Sequence, residues 1–265
     1  MSLITLPEKI EIKDQGDNRY QAIIGPCYPG FGVTLGNSLR RVLLSSLPGA
    51  AVTAFKIEGA QHEFDSVDHV KEDLVEIMLN LKKLRLKLFG DEPVVLNIEA
   101  KGEKVVTAAD IKKNSAVEIM NKDLVIANLT DKNAKFNVEI TVDRGIGYVT
   151  VKQRGDKAKL PIGTVAIDSS FSPVLNVGFD IVNVRVGEMT NYEQLTMDIL
   201  TDGTVDGTQA IVQGAGILAE HFQFLANNEV ETAEAEDDEE YEAVEEAEEE
   251  PVAPKKKATR AKKTK

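Results

Sequence analysis

The residue types that most often carry catalysis or bind metals are few and scattered in this sequence. The three histidines, His62, His69 and His221, have no Cys, His or acidic partner at a recognised metal-ligand spacing beyond the ordinary neighbours of a charged surface. Cys27 is the only cysteine, which excludes a disulfide or a thiolate-based metal centre within one chain. We therefore expect no cofactor and no metal site.

Motifs of nucleophilic catalysis and nucleotide binding are also missing from the sequence. There is no Gly-x-Ser-x-Gly, no phosphate-binding Gly-rich loop before a Lys-Ser/Thr pair and no Gly-x-Gly-x-x-Gly that opens a helix. Residues 144–148 contain only Gly-x-Gly between predicted strands, which indicates a tight turn. The 31 acidic residues outside residues 231–250 always offer a carboxylate pair, so an acidic hydrolase stays an alternative without a diagnostic spacing.

One group of polar residues lies on a strongly amphipathic segment. Over residues 35–47 the apolar positions recur close to the 3.6-residue period of a helix, and Thr34 is the predicted N-cap. Arg40 and Arg41 lie in the middle of this helix beside Asn37. They form either an ordinary solvated face or a protein-recognition face, on which guanidinium groups bind the carboxylates or carbonyls of a partner.

The elements that would position this helix follow from the apolar periodicity. Alternation over residues 9–13 and 19–24, around the turn-prone residues 14–18, predicts a hairpin. A second helix is predicted between Val67 and Leu81, with Asp65 or Ser66 as its cap. Clustered strands and few helices predict the α+β class. The strand-like segments are residues 50–60, 84–100, 124–126, 136–142, 147–151, 165–167, 179–186 and 195–200.

A final helix is predicted from about Asp206 to Ala226, with a heptad-like apolar stripe. The stripe either packs against a partner helix or covers the core of the chain itself, and two heptads do not distinguish these possibilities. Gly214 and Gly216 each weaken an isolated helix by roughly 1 kcal/mol relative to Ala, and such glycines persist more easily where a neighbouring backbone packs closely. The stripe consists of Ile211, Ala215, Leu218, Phe222 and Leu225.

Charge is unevenly distributed along the 265 residues. Residues 231–250 hold 13 acidic and no basic residues, and residues 255–265 hold 7 basic and no acidic ones. Residues 1–230 hold 24 basic and 31 acidic residues, a net charge of −7, without a basic stripe for phosphates. The charged tail has too few apolar residues to fold and is predicted to be disordered. No leader or membrane span is predicted, and we expect a cytoplasmic protein.

The segment 31–49 resembles the first long helix of the alpha subunit of bacterial RNA polymerase. The resemblance implies a dimerisation domain of antiparallel strands and two long helices, built from residues 1–48 and 175–228, with an inserted β-rich domain at 49–174 and a disordered tail at 229–265. The family's C-terminal DNA-binding domain is expected to be absent. Further similar segments follow in the family's order at residues 62–64, 72–73, 79–82, 106–111, 144–149, 161–163, 171–174 and 201–204.

The same resemblance implies partners and the surfaces that bind them. Two chains would pair as a homodimer, a non-catalytic platform for the beta and beta-prime catalytic subunits in DNA-templated transcription. The implied dimer contacts are Leu39, Leu43, Leu218 and Phe222. The implied beta-subunit surface is Gly36, Asn37, Arg40 and Arg41. The implied beta-prime surface is Lys82, Ile167 and Asp168.

Two further alternatives are binding proteins. The equivalent platform subunit of a non-bacterial polymerase would pair with a different, shorter chain, so self-pairing distinguishes it. An acidic-tailed chaperone for basic proteins would explain the tail but not the residues at 31–49. The basic end of the tail either keeps the chain soluble or touches the DNA backbone weakly and without sequence preference. Its cations are Lys255, Lys256, Lys257, Arg260, Lys262, Lys263 and Lys265.

Overall fold

Antiparallel sheets dominate the computed structural model, which describes residues 4–155, 161 and 163–227. The predicted α+β class is confirmed, and the predicted tail lies outside the described residues. The helices are α1 (Phe31–Ser45), α2 (Leu74–Leu81), α3 (Val151–Arg154) and α4 (Gly207–Asn227). The strands are β1 (Lys9–Gly16), β2 (Arg19–Cys27), β3 (Pro48–Ile57), β4 (Leu86–Leu88), β5 (Val94–Lys101), β6 (Lys104–Thr107), β7 (Val117–Ile119), β8 (Val125–Leu129), β9 (Lys135–Ile146), β10 (Tyr148–Val149), β11 (Thr164–Ala166), β12 (Ser169–Ser170), β13 (Val174–Val186) and β14 (Met189–Thr201).

The first sheet has the strand order β1-β2-β14-β13 and is antiparallel throughout. The predicted hairpin of β1 and β2 is confirmed. Its turn is formed by Asp17 and Asn18, whose φ angles of 51° and 59° lie in the left-handed region. Two such residues give a turn whose twist matches the flanking strands, and Asp and Asn tolerate it better than most side chains.

Helix α1 packs on this sheet, and α4 packs on α1. Gly36 allows the close approach, because a Cβ there would lie 2.9 Å from Phe179 Cδ2 and 3.0 Å from Leu195 Cδ1. Gly214 of α4 similarly faces Leu43, because a Cβ at residue 214 would lie 3.1 Å from Leu43 Cδ2. A Cβ at Gly216 would meet nothing within 4 Å among the residues that the structure describes, so the close-packing interpretation applies to only one of the two predicted glycines.

The second sheet has the order β5-β9-β3-β4-β7, and β11 also pairs with β3. Helix α2 buries Leu74, Ile77 and Leu81 against its core. Strands β5 and β7 are the two end strands of this sheet. The segment that connects them contains the turn Ala108–Asp110 and forms an isolated β-bridge to β5, between Ile111 and Ile98. The sheet therefore curls without closing.

The buried residues form two hydrophobic clusters. One runs from Val52 to Ile167 along the sequence, and the other combines residues before Pro48 with residues after Phe171. Both belong to one compact unit that ends at Asn227. The chain thus leaves one cluster after Leu47, builds the second, and returns.

Two of the three predicted helix starts are wrong, those of α1 and α2. Helix α1 begins at Phe31 rather than after Thr34, because the Glu193 carboxylate accepts hydrogen bonds from the Gly30 and Gly32 N–H groups at 3.0 and 2.8 Å. Helix α2 begins at Leu74, capped by Asp73, which accepts from the Glu76 N–H at 2.7 Å.

The turn predicted within residues 144–148 is narrower than expected. Strand β9 continues through Ile146, and only Gly147 has a left-handed φ, 64°. Gly145 lies within the strand, where a Cβ would come within 2.7 Å of the Phe171 ring. Gly147 therefore allows a bend, and Gly145 allows close contact with a side chain. The strands on either side of Gly147 have different partners, since β9 pairs with β3 and β10 pairs with β12.

Candidate interaction surfaces

The exposed face of α1 carries three of the predicted recognition residues. Asn37 Nδ2 donates to the Val33 carbonyl at 3.1 Å, and Arg40 Nε donates to the Val177 carbonyl of β13 at 3.0 Å. The exposed Arg41 side chain has no hydrogen bond or ion pair within the described part of the chain. Arg40 is thus partly engaged in holding α1 on the sheet, whereas the Arg41 guanidinium is available to a partner.

Gly36 lies on the buried face of α1, one turn before Arg40. It is surrounded by Phe179 and Leu195, as described above. Inside the chain Gly36 lets α1 approach the sheet, and its assignment to the beta-subunit surface stays a prediction.

The four predicted dimer contacts divide into two classes. Leu39 and Leu43 are buried in the core between α1 and the sheet, so they cover the chain's own interior. Leu218 is half-buried, and Phe222 is 59% exposed. Sequence spacing cannot separate these classes, because both satisfy the same helical period.

Helix α4 extends beyond the core that its first half covers. Ala210 and Ile211 are buried, whereas every residue from 219 to 227 is exposed. Phe222 and Leu225 belong to this second half, with Leu225 67% exposed. Large apolar side chains grouped on one helix end mark a protein interaction site.

A third surface joins α2 to the region around β10. Lys82 Nζ lies 3.1 Å from Tyr148 Oη and 5.0 Å from the ring centroid, and Tyr148 Oη donates to Asp168 Oδ2 at 3.4 Å. Asp168 Oδ1 also accepts from the Val151 N–H at 2.7 Å. The structure thus brings together two predicted beta-prime residues, Lys82 and Asp168, through an aromatic residue that is 53% exposed.

Ile167 and Tyr148 show what the sequence did not reveal about this surface. Ile167 is 2% exposed, and its carbonyl accepts from the Arg154 guanidinium and from Ser169 Oγ, so its side chain supports the surface from inside. Tyr148 was not predicted as a site residue. An aromatic residue just after Gly147 was the available signal, because Tyr is enriched at protein interfaces.

The described residues contain little that suggests chemistry at a single centre. Burial, and next the nearby Glu193 charge, raise the pKa of the Cys27 thiol, which points to the Ile24 carbonyl. Among the ranges that the structure describes, no three His, Cys, Asp or Glu side chains are grouped to hold a metal ion. None of the helices described above has the length and apolar character to cross a membrane.

Comparison with known proteins gives matches over most of the chain. Residues 55–172 match the family model of the RNA polymerase Rpb3/RpoA insert domain. A DNA-directed RNA polymerase subunit alpha of Carboxydothermus hydrogenoformans is 50% identical over 219 residues, covering 83% of this chain and 69% of the relative. The subunit alpha of Clostridium botulinum strain Eklund 17B is 48% identical over 225 residues, covering 83% and 70%.

Proposed function

This chain belongs to the family of bacterial DNA-directed RNA polymerase alpha subunits, and we propose that it pairs with a second copy to form a non-catalytic platform for the beta and beta-prime subunits. The proposal includes the domain division made from the sequence, with a dimerisation domain at residues 1–48 and 175–228 and an insert at 49–174. The match at 55–172 lies inside that insert. Near both ends of the insert, the buried residues pass from one hydrophobic cluster to the other.

The observation that carries the homodimer is the exposed second half of α4. Phe222 and Leu225 lie beyond the core that the first half of the helix covers, so their apolar surface is available to a second helix. Each fully buried side chain of this size contributes about 1.5–3 kcal/mol. A two-fold pairing would bury both side chains on each copy, because an isologous interface uses the same patch twice.

The proposed contact with the beta subunit centres on Arg41. Its guanidinium is exposed and has no partner within the described residues, and it can bind a carboxylate or carbonyl with directional hydrogen bonds. Asn37 lies one turn away on the same face. Arg40 would contribute less, since its Nε already donates to Val177.

The proposed contact with beta-prime is the group formed by Lys82, Tyr148 and Asp168. The group offers a cation, a phenol and a carboxylate whose relative positions are fixed by their mutual contacts. A symmetric dimer that holds two different large subunits must use its identical faces non-equivalently. One copy would therefore use the Arg41 face and the other the Lys82 face.

The bacterial relatives favour this role over a heterodimeric platform subunit of a non-bacterial polymerase. As part of a bacterial transcription complex the chain would work in the cytoplasm, where the DNA is. The acidic hydrolase and the chaperone remain alternatives that no contact described above favours.

Recruitment of the beta subunit tests the proposal. The wild-type chain, Arg41→Ala and the matched control Arg19→Ala, an exposed arginine at the β1–β2 turn, are each mixed with purified beta subunit, and the complexes are measured by size-exclusion chromatography. We expect Arg41→Ala to weaken binding by roughly tenfold or more, as for a central interface arginine. Arg19→Ala should bind as wild type does. Equal binding by all three proteins would contradict the beta-subunit assignment of Arg41.

A further inference from the structure

A groove of about 520 Å³ lies where the second sheet fails to close. Leu96 of β5 lines one side, and Val117 and Ile119 of β7 line the other. Phe89, which is exposed, and Ile111, which is buried, add further apolar surface. The groove thus has an apolar part that is bounded by the two end strands of one sheet, and residues of the connecting segment 108–115 form much of the rest of its lining.

The first part of β5 presents backbone groups without a strand partner, whereas Asn97 and Ile98 already meet Lys112 and Ile111. The Asn97 carbonyl accepts from the Lys112 N–H at 2.8 Å, so the backbone groups of Asn97 point away from β9. Because backbone groups alternate between the two sides of a strand, those of Val95 also point to this open side. Within the part of the chain that the structure describes, neither the N–H nor the C=O of Val95 forms a hydrogen bond on this side.

The β7 side repeats this arrangement. Phe89 N–H donates to the Ala116 carbonyl and Met120 N–H donates to the Arg85 carbonyl, so the even-numbered residues of this stretch face β4. Val117 and Ile119 consequently direct their backbone groups away from β4. The Val117 N–H donates to the Asn114 carbonyl at 3.3 Å, whereas the N–H and C=O of Ile119 have no hydrogen bond on this side within the described residues. Exposed edges of this kind are templates for an added strand.

The charges around the groove indicate which kind of strand would fit. Its lining includes Lys112, Lys113 and Lys122 but only one acidic residue, Glu118. Lys112 is paired with Glu99, whereas Lys113 and Lys122 have no ion pair within the described residues. This positive rim occurs on a region, residues 1–230, whose net charge is −7. Charge complementarity therefore favours an acidic partner.

We propose that this groove binds an extended acidic segment of a partner protein, which adds as a strand between β5 and β7. Alternate side chains of such a strand point to opposite faces. Apolar residues on one face would cover Leu96 and Ile111, and acidic residues on the other would meet Lys113 and Lys122. The groove involves none of the residues assigned above to the dimer, beta or beta-prime contacts, so this binding can fail or succeed independently of the platform role.

The test uses the full chain and a fluorescein-labelled seven-residue peptide of alternating Glu and Val, measured by fluorescence anisotropy at low salt. Val95→Pro removes an N–H that points to the open side of β5 and leaves the bonds to β9 in place, as proline is tolerated on a free strand edge. Val95→Thr is the matched control that keeps the N–H. We expect Val95→Pro to weaken binding roughly five- to tenfold and Val95→Thr to bind within about twofold of wild type.

Two further arms make the test independent of how Val95→Pro folds. A peptide with N-methylated backbone amides should bind the wild-type chain roughly tenfold more weakly, because it cannot donate to the edges. The double variant Lys113→Glu/Lys122→Glu should prefer a Lys-Val peptide to the Glu-Val peptide. The proposal is overturned if the Glu-Val peptide does not bind, if N-methylation has no effect, if Lys-Val binds wild type equally well, or if single-stranded oligothymidylate binds in its place.

Discussion

Single polar residues decide much of what this chain presents to its surroundings. Arg40 and Arg41 are neighbours in the sequence, yet Arg40 Nε bonds to Val177 across the helix–sheet contact and Arg41 is available. Tyr148 likewise converts two distant residues, Lys82 and Asp168, into one surface. These differences depend on contacts between residues far apart in the sequence. Residue type alone can therefore indicate a surface, but not which of its residues is available to a partner or connects the others.

Asp202 gives a prediction at this scale. Burial raises the pKa of its carboxyl, opposed by hydrogen bonds from the Thr204 hydroxyl and N–H and by the nearby Arg85 charge. At a pH below the ordinary pKa of Asp, the carboxyl is protonated in both the folded and the unfolded chain. As pH rises from the ordinary to the raised pKa, the unfolded chain loses its proton first, so the free energy of unfolding falls.

Asp202→Asn, which keeps an oxygen acceptor for Thr204, removes this titration. We expect the variant to gain stability relative to wild type as the pH increases through that window, with the difference constant at higher pH. Urea unfolding of both proteins between about pH 3 and 7 measures it. A difference that is independent of pH, or that shrinks as the pH rises, would show that burial does not control this carboxyl.

At the scale of elements, local sequence predicts the type of an element better than its ends. The β1–β2 hairpin and the extent of α4 follow from turn residues and apolar spacing, and the structure agrees with both. The start of α1 was missed because its N–H groups bond to Glu193, a carboxylate on β14 more than 160 residues away. No local pattern encodes such a cap.

Gly36 provides the element-scale prediction. Ala would favour the helix itself by about 1 kcal/mol. However, the added Cβ would meet Phe179 and Leu195 at about 3 Å, and overpacking of this kind costs about 1–3 kcal/mol. We expect Gly36→Ala to lower the free energy of unfolding, by up to about 2 kcal/mol after the two effects are combined.

Chemical denaturation of Gly36→Ala and Gly216→Ala forms a matched pair. A Cβ at residue 216 would have no neighbour within 4 Å in the described part of the chain, so helix propensity acts there alone and the stability should not decrease. Equal stabilisation of both variants would mean that α1 does not approach the sheet as closely as described.

At the scale of the whole molecule, the sequence predicted the fold class and the family, while the division of apolar residues between interior and surface required the structure. Leu39, Leu43 and Phe222 all fit a helical stripe, but only Phe222 is exposed. Likewise, the groove between β5 and β7 could not be predicted, because it arises from strands that do not meet when the sheet curls.

The most direct test of the platform role is the mass of the purified full chain in solution, measured by light scattering for wild type, Phe222→Asp and the control Val105→Asp. Val105 is an exposed apolar residue of β6, outside the proposed dimer contact. We expect wild type and Val105→Asp to have twice the single-chain mass of 29.0 kDa, and Phe222→Asp to shift towards the single-chain mass because a buried unpaired charge opposes pairing. A single-chain mass for wild type would contradict the homodimer on which the proposed platform rests.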